Sequence, residues 1–458
     1  MKKTFLFLLS FFYFICSIAQ KLPPFEPLRY DEDYSGMKND TLKNYYSQTK
    51  YSPLNKNGDA FLSFGGDVRQ QYFYFSNEDW GAAPKDKDGY VFSRLLAHAD
   101  FHAGKYFRSY VELQSSLANG KEYSPPPIDE NQLDLHQAFF DIALPFSKQE
   151  QLVLRTGRQE FLYGAQRLVS VKEGANNRLA FDAVKLIYQG SRFKVDAFFS
   201  HPVRPKQGIF DDKFNKYSKF WGGYAVVNEV PVFHNVDLYY LGLWKSESVF
   251  DDGIAKERRH SVGTRIWNSS VPWQYDFEAL YQWGKFGVKQ ISAWTISSNT
   301  TYTIQSLKHN AQINFKAELI SGDKNYEDGK LNTFNPLFPR GAYFGLASLV
   351  GPANLIDIHP SFMVNLTKSF VYEVDYDAFW RFSKNDGIYG PAALLIYSGK
   401  TSGQKFIGNQ LATYLIYNPS QFFSLQGEFT WFKAGPYLKD VGPGKNILFT
   451  AFTAQFEF

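Results

Sequence analysis

The chain has 458 residues, of which 44% are hydrophobic and 18% aromatic, including 30 Tyr and 45 Phe. Its 49 Lys and Arg against 45 Asp and Glu give a formal charge of +4, a balance that nominates no charged partner and no nucleic acid. Mean hydropathy is negative, and past the N-terminal leader no apolar run approaches the roughly 20 residues of a membrane helix, so a helical membrane protein is excluded.

The first elements in chain order are Lys2 and Lys3, the apolar run Phe5–Ile15, and the small-residue stretch Ser17-Ile18-Ala19. This pattern predicts a secretory signal peptide over residues 1–19, cleaved after Ala19. Cys16 is the only cysteine and lies inside it, preceded by Ile15 rather than the small residue that lipidation requires. The mature chain then has no thiol and no disulfide, and its stability must come from backbone pairing and packing. Loss of Lys2 and Lys3 leaves 47 basic against 45 acidic residues. Residues 20–59 contain Pro23, Pro24, Pro27 and Pro53 and little alternation. They are expected to form an N-terminal segment at the periplasmic side or in a barrel mouth.

From Ala60 onward, period-two runs recur between turn signals. Val91–His102 sets Arg94, His98, Asp100 and His102 on one face, and Phe107–Leu117 sets Arg108, Tyr110, Glu112 and Gln114 against Val111, Leu113 and Ser115. Tyr275–Trp283 sets Tyr275, Phe277, Ala279, Tyr281 and Trp283 against Asp276, Glu278 and Gln282. Val371–Ser383 alternates without a fault: Tyr372, Val374, Tyr376, Ala378, Trp380 and Phe382 oppose Glu373, Asp375, Asp377, Phe379, Arg381 and Ser383. No packed core accepts the charge on that second face. A wall between lipid and a wet interior does. The chain closes on NILFTAFTAQFEF over Asn446–Phe458, an alternating strand ending in an aromatic, as in proteins inserted by the outer-membrane assembly machinery.

These elements predict an all-β fold, a transmembrane antiparallel barrel of about 18 strands over residues 60–458 with an aqueous lumen. The expected location is the outer membrane of a Gram-negative bacterium, as a monomer in lipid. Long connections are expected at Ser76–Gly89, Leu117–Asn131, Gly164–Arg178, Pro202–Lys219, Ser246–Glu257, Ser321–Asn354 and Ser383–Lys405. Such loops lie outside the cell or fold into the pore.

Four segments carry more than a generic barrel pattern. They are LRYDEDY at Leu28–Tyr34, FGGDVR at Phe64–Arg69, LRTGRQEFLYGAQRL at Leu154–Leu168 with the following NR and FDAV, and ISGDKNYEDGKLNTFNPLFPRGAYFG at Ile320–Gly345. Together, and in this order, they resemble the alginate-export family of outer-membrane porins. The resemblance implies an 18-stranded barrel that lets a uronic-acid polysaccharide diffuse across the membrane past a basic constriction, with no catalysis and with periplasmic secretion partners.

The residues argue for such a constriction separately. Between Arg155 and Lys194 stand eight basic residues (Arg155, Arg158, Arg167, Lys172, Arg178, Lys185, Arg192 and Lys194) against Glu160, Glu173 and Asp182. A guanidinium stays charged and engages carboxylates bidentately, which suits a polyanion. The candidate pore residues are Arg158, Arg167 and Arg178, with Asp182 as positioning partner and Arg69, Arg94 and Arg265 as further lumenal charges. The alternative is that these arginines pair with acids and carbonyls to fix an inward loop. Late strands carry Glu278, Glu318, Glu373, Asp375, Asp377 and Glu428, so the lumen is not basic throughout.

Other signals are weak. His98, Asp100 and His102 share a face but need no metal, and Asp323, Asn325, Glu327 and Asp328 resemble a calcium loop without an EF-hand order. No cofactor is expected. The rival functions are a porin for small-solute uptake, a barrel lipase or protease, and a structural barrel anchoring a secretion complex. His260 and Ser261 fall on opposite strand faces, which argues against the enzyme.

Overall fold

The computed structural model describes residues 23–39, 44–85, 87–306 and 309–458; the signal-peptide expectation falls outside them. Eighteen strands form the wall. They are β1 (Ala60–Ser76), β2 (Tyr90–Ala103), β3 (Phe107–Asn119), β4 (Asn131–Pro145), β5 (Gln151–Gln159) and β6 (Phe181–Gln189). Then come β7 (Phe193–Pro202), β8 (Ser218–Val230), β9 (His234–Phe250), β10 (Gly253–Asn268), β11 (Trp273–Phe286) and β12 (Lys289–Ile304). The last six are β13 (Ala311–Ile320), β14 (Leu355–Asn365), β15 (Phe370–Arg381), β16 (Phe406–Ser420), β17 (Phe423–Ala434) and β18 (Ile447–Glu457). Each pairs antiparallel with its neighbour in the chain, and β18 pairs with β1 from Asp67↔Glu457 to Ser76↔Leu448. Closure leaves no sheet edge, so backbone donors and acceptors are satisfied within the wall, as hydrocarbon demands.

Burial runs inside out. On β11, Phe277, Tyr281 and Trp283 are exposed while Glu278 and Gln282 are buried. On β15, Tyr372 and Tyr376 are exposed, while Asp375, Asp377 and Arg381 are buried. Period two thus sends aromatics to lipid and charge to the lumen, as the sequence pattern predicts.

One expected long loop is absent. Instead of a connection over Ser246–Glu257, β9 and β10 run on to Phe250↔Gly253, with a register shift between Lys245 and Ser248. That bulge breaks the alternation and disguises the strand. A connection at residues 435–446, which the pattern did not mark, carries a short helix, Pro436–Val441.

The N-terminal segment enters the mouth at the end where the turns are short, the periplasmic side. Arg29 Nη1 donates to Gly66 O at 3.1 Å and its Nη2 to Phe458 O at 3.0 Å. Lys50 Nζ donates to the same Phe458 carbonyl at 3.1 Å. Tyr30, buried against Tyr110 and Phe139, donates to Glu160 O at 2.8 Å.

Candidate functional site: the narrowed lumen

Two connections at the extracellular end turn back into the lumen: residues 160–180 between β5 and β6, and residues 321–354 between β13 and β14. They meet inside the barrel. Ser170 N–H donates to Phe338 O at 2.9 Å, Phe338 N–H to Leu168 O at 2.8 Å, and Arg340 N–H to Gln166 O at 3.1 Å. Gln166 and Leu337 sit at positive φ, 62° and 61°, a strain on the order of 1 kcal/mol each that the pairing sustains. Phe161, Phe181, Phe220 and Phe338 pack ring on ring beside the junction.

Ion pairs tie the first segment to the wall. Glu173 takes Arg94 at 2.5 Å, Arg69 at 3.1 Å and Arg178 at 3.2 Å. Arg178 also lies 2.7 Å from Glu160, which His136 meets at 2.8 Å, and Arg94 lies 3.3 Å from Asp67. Enclosure by the barrel pushes the Glu173 carboxyl up, but Arg94, Arg178 and Arg69 outweigh it and hold it at about 2. Arg69, Arg94 and Arg178 therefore converge on one carboxylate, and with Asp67, Glu160 and Glu173 their formal charges cancel.

A second group forms 100 residues further along. Arg167 reaches Glu278 at 2.8 Å, Asp276 at 3.1 Å and Glu318 at 3.3 Å. Arg265 holds Asp276 at 2.8 Å and Asp237 at 3.0 Å. Here four acids face two arginines and Lys316, which lies 3.3 Å from Glu318, and the patch keeps one net negative charge.

Arg158 and Asp182 start from the outward face of the wall, yet the Arg158 side chain reaches the cavity at the extracellular end that Lys172, Arg178 and Lys245 also line. They lie directly opposite each other on β5 and β6 and pair at 2.9 Å. Arg158 shares its strand face with Leu154, and Asp182 shares its face with Val184, both exposed outward. Among the charged residues of these strands, period two turns Arg155 and Lys185 to the lumenal face.

Among the described residues some cations at this end stay free: Arg340 on the second segment is exposed without an ion-pair partner, and two lysines that the sequence pattern did not put forward as candidates join it. Lys172 at the bend of the first segment and Lys245 at the β9 bulge both line a cavity of about 380 Å³ at the extracellular end, with Arg178, Phe338 and Tyr217. Among the described residues, neither ammonium has an ion-pair or hydrogen-bond partner within reach. Enclosure pushes the Lys172 pKa down to about 8, and Lys245 pushes it the same way. The signal that marks Lys172 is φ of +57°, unusual for a lysine, and no sequence pattern carries it.

The weak metal signals resolve differently. Asp100 is taken bidentately by Arg108 at 2.8 and 2.6 Å, His102 stacks on Phe61, and His98 stacks on Tyr110. The acids of Asp323–Asp328 turn the chain. Asp323 accepts from Lys324 and Asn332 N–H, Asn325 from Glu327 N–H, and Asp328 from Lys330 N–H. Burial pushes Asp323 up to about 7, and Asp252 and Asp386 push it further, against the Asn332 N–H.

A closed barrel with charge inside, aromatics outside and a lumen narrowed by inward segments is an outer-membrane channel. The chain matches the alginate-export family over residues 60–445, and it belongs to that family. It matches no curated protein. Its fold is that of Pseudomonas aeruginosa OccD3 (OpdP), at 12% identity and a TM-score of 0.56 over 90% of this chain and 93% of that one. OpdK from the same organism, solved with vanillate, has 9% identity and a TM-score of 0.56 over 87% and 98%. OccK2 (OpdF), also from that organism and solved with glucuronate, has 8% identity and a TM-score of 0.54 over 87% and 98%. The family and these neighbours are channels rather than enzymes.

Proposed function

We propose that the barrel passes an acidic, uronate-type polysaccharide by diffusion, and that Lys172 and Lys245 make the charged contact at its extracellular mouth. The observation that carries this reading is the contrast between paired arginines and free lysines, set in a chain of the alginate-export family. A guanidinium buried against carboxylates presents little to a passing polymer, whereas an unpartnered ammonium on the cavity wall can engage it. Arg69, Arg94, Arg167, Arg178 and Arg265 then act by holding the two segments that set the bore. Weak contacts at two lysines let a polymer slide rather than bind.

Small carboxylate uptake is the second reading, favoured by neighbours solved with glucuronate and vanillate. Planar-bilayer recording separates the two. Reversal potentials in a salt gradient should show anion selectivity, and oligouronates should block with a potency that rises with chain length. Cation selectivity without such block would overturn the polyanion reading, while block by monomeric uronate alone would favour uptake.

A further inference from the structure

The lumenal wall on β14 and β15 holds a buried carboxylate, Asp357, that has no hydrogen-bond or ion-pair partner among the described residues. Asp357 and His359 on β14 and Asp375 and Asp377 on β15 all point inward. The flanking pairs Ile358↔Ala378 and Ser361↔Asp375 put His359 level with Asp377. Asp357 is 1% exposed and Asp377 fully buried. Neither carboxylate oxygen of Asp357 has a hydrogen-bond partner, and Oδ1 of Asp377 and Nδ1 of His359 also lack one. His359 stands 2.6 Å from Asp375 through Nε2 and 2.6 Å from Asp377 through Nδ1, yet neither contact is aligned as a hydrogen bond.

Such an arrangement is costly for the protein alone, since an unpaired buried carboxylate is strongly disfavoured. We infer that Asp357, His359 and Asp377 form a binding site for a divalent first-row transition-metal ion, because their donor atoms lie within 4.8 Å of one another and Asp357 has no other partner. One imidazole with carboxylates suits Zn²⁺ or Mn²⁺ better than Ca²⁺, which takes oxygen alone. The outer contacts are in place. Gln410 Nε2 donates to Asp377 Oδ2 at 3.1 Å, leaving Oδ1 to face His359 Nδ1, and the same nitrogen donates to Phe344 O at 3.0 Å. Gln410 thus links the site to the second inward segment, whose Phe344 ring lies 6.5 Å from the imidazole. A bound ion would cross-link β14 and β15 beneath that segment.

Two other acid–histidine or acid–acid groups make useful controls because Glu112, Glu160, Asp134 and Asp212 in them already have partners. In Glu112–His136–Glu160, Gln137 and Tyr110 hold Glu112 while Arg178 holds Glu160. In Asp134–Asp211–Asp212, Asp134 accepts backbone N–H from Leu135 and Asp212. The test uses the full chain purified in detergent, stripped with chelator and dialysed against ZnCl₂, with metal counted by mass spectrometry. One Zn²⁺ per chain is expected, with affinity at least tenfold weaker in Asp357→Asn and in His359→Gln and unchanged in His136→Gln and Asp212→Asn. Loading with Co²⁺ should give a visible d–d band that His359→Gln loses, and heat-modifiable gel mobility confirms that each variant is folded. No bound metal in the parent, equal affinity in His359→Gln, or loss in the His136 or Asp212 variants instead would each overturn the assignment. None of these readouts depends on what the channel transports.

Discussion

The two inward segments enter the same lumen from opposite walls and are held there by different forces. Residues 160–180 are tied by charge: Glu173 collects three arginines, Glu160 takes Arg178 and His136, and Asn176 reaches Leu117 and Asp129 carbonyls. Residues 321–354 are tied by solvent exclusion, burying Phe334, Leu337, Phe338, Tyr343, Phe344, Leu349 and Val350. Their hydrogen bonds are spread over several wall and loop groups: Asp386 accepts from Thr333 Oγ1 at 2.6 Å and Asp323 N–H at 2.7 Å, Glu257 accepts from Asn335 Nδ2 at 3.1 Å, and Glu318 accepts from Tyr343 at 2.9 Å. On the proposed reading, a lumen narrowed this way separates roles, because the cations that fix the backbone are not those offered to a solute.

The largest test of that difference is Arg178→Ala. It strips Glu160 and Glu173 of a cation that is 5% exposed, and removing one partner of a buried pair costs about 3 kcal/mol or more. Thermal unfolding in detergent should fall accordingly, and bilayer conductance should become noisy as the first segment loosens. Phe344→Ala should cost about 3 kcal/mol through lost packing and disturb the second segment alone, with hydrogen exchange rising in residues 322–353 and unchanged in residues 161–179. Equal loosening of both segments by either variant would show that they act as one body.

Acid should drive the two segments in opposite directions. The Glu173 carboxyl is depressed to about 2, so its stabilisation is full above the ordinary glutamate pKa of about 4.3 and is lost as pH falls from there towards 2. Burial pushes Asp386 up to about 6 and Asp323 up to about 7. The folded state holds those protons more tightly than the unfolded chain, so stability is greatest below about pH 4 and declines as pH rises through 6 to 7. Hydrogen-exchange protection, referred to the intrinsic amide rate at each pH, should therefore fall in the first segment below pH 4 and in the second above pH 6. A common pH response would remove the distinction.

How much of this was legible follows from what each signal encodes. Alternation in Val371–Ser383 reports solvent on two faces, and it predicted the wall and the acidic lumen of β15 correctly. The same alternation, followed from Leu154 to Arg158 and from Val184 back to Asp182, puts the backbone of that pair on the outward face; that the Arg158 side chain still reaches a cavity with Lys172 and Lys245 is not written in parity. Partners were not legible, because Arg167 meets Asp276 109 residues away and the pairing depends on how deep a loop folds. Lys245 was hidden by a bulge within Ser246–Glu257. Asp357 and His359 were written as D-x-H beside the D-x-D of β15, yet only adjacency of β14 and β15 makes that spacing a site.

Smaller effects sharpen the contrast between paired and free cations. Lys172→Ala should lower anion selectivity without changing thermal unfolding. Because Lys172 is charged below about pH 8, selectivity in the parent should fall as pH rises through 8, and the variant should lose that step. Retention of the step in the variant would assign it to another group. At the far end of the scale is Arg192, paired with Glu229 at 3.2 Å on the periplasmic turn, with both side chains about two-thirds exposed. Water and salt screen such a pair, and exposed ion pairs contribute about 0–1 kcal/mol. Arg192→Ala should leave unfolding within about 0.5 kcal/mol and selectivity unchanged, although it removes the same kind of charge as Arg178→Ala. If the two variants behaved alike, enclosure would not be what gives the lumenal arginines their hold on the loops.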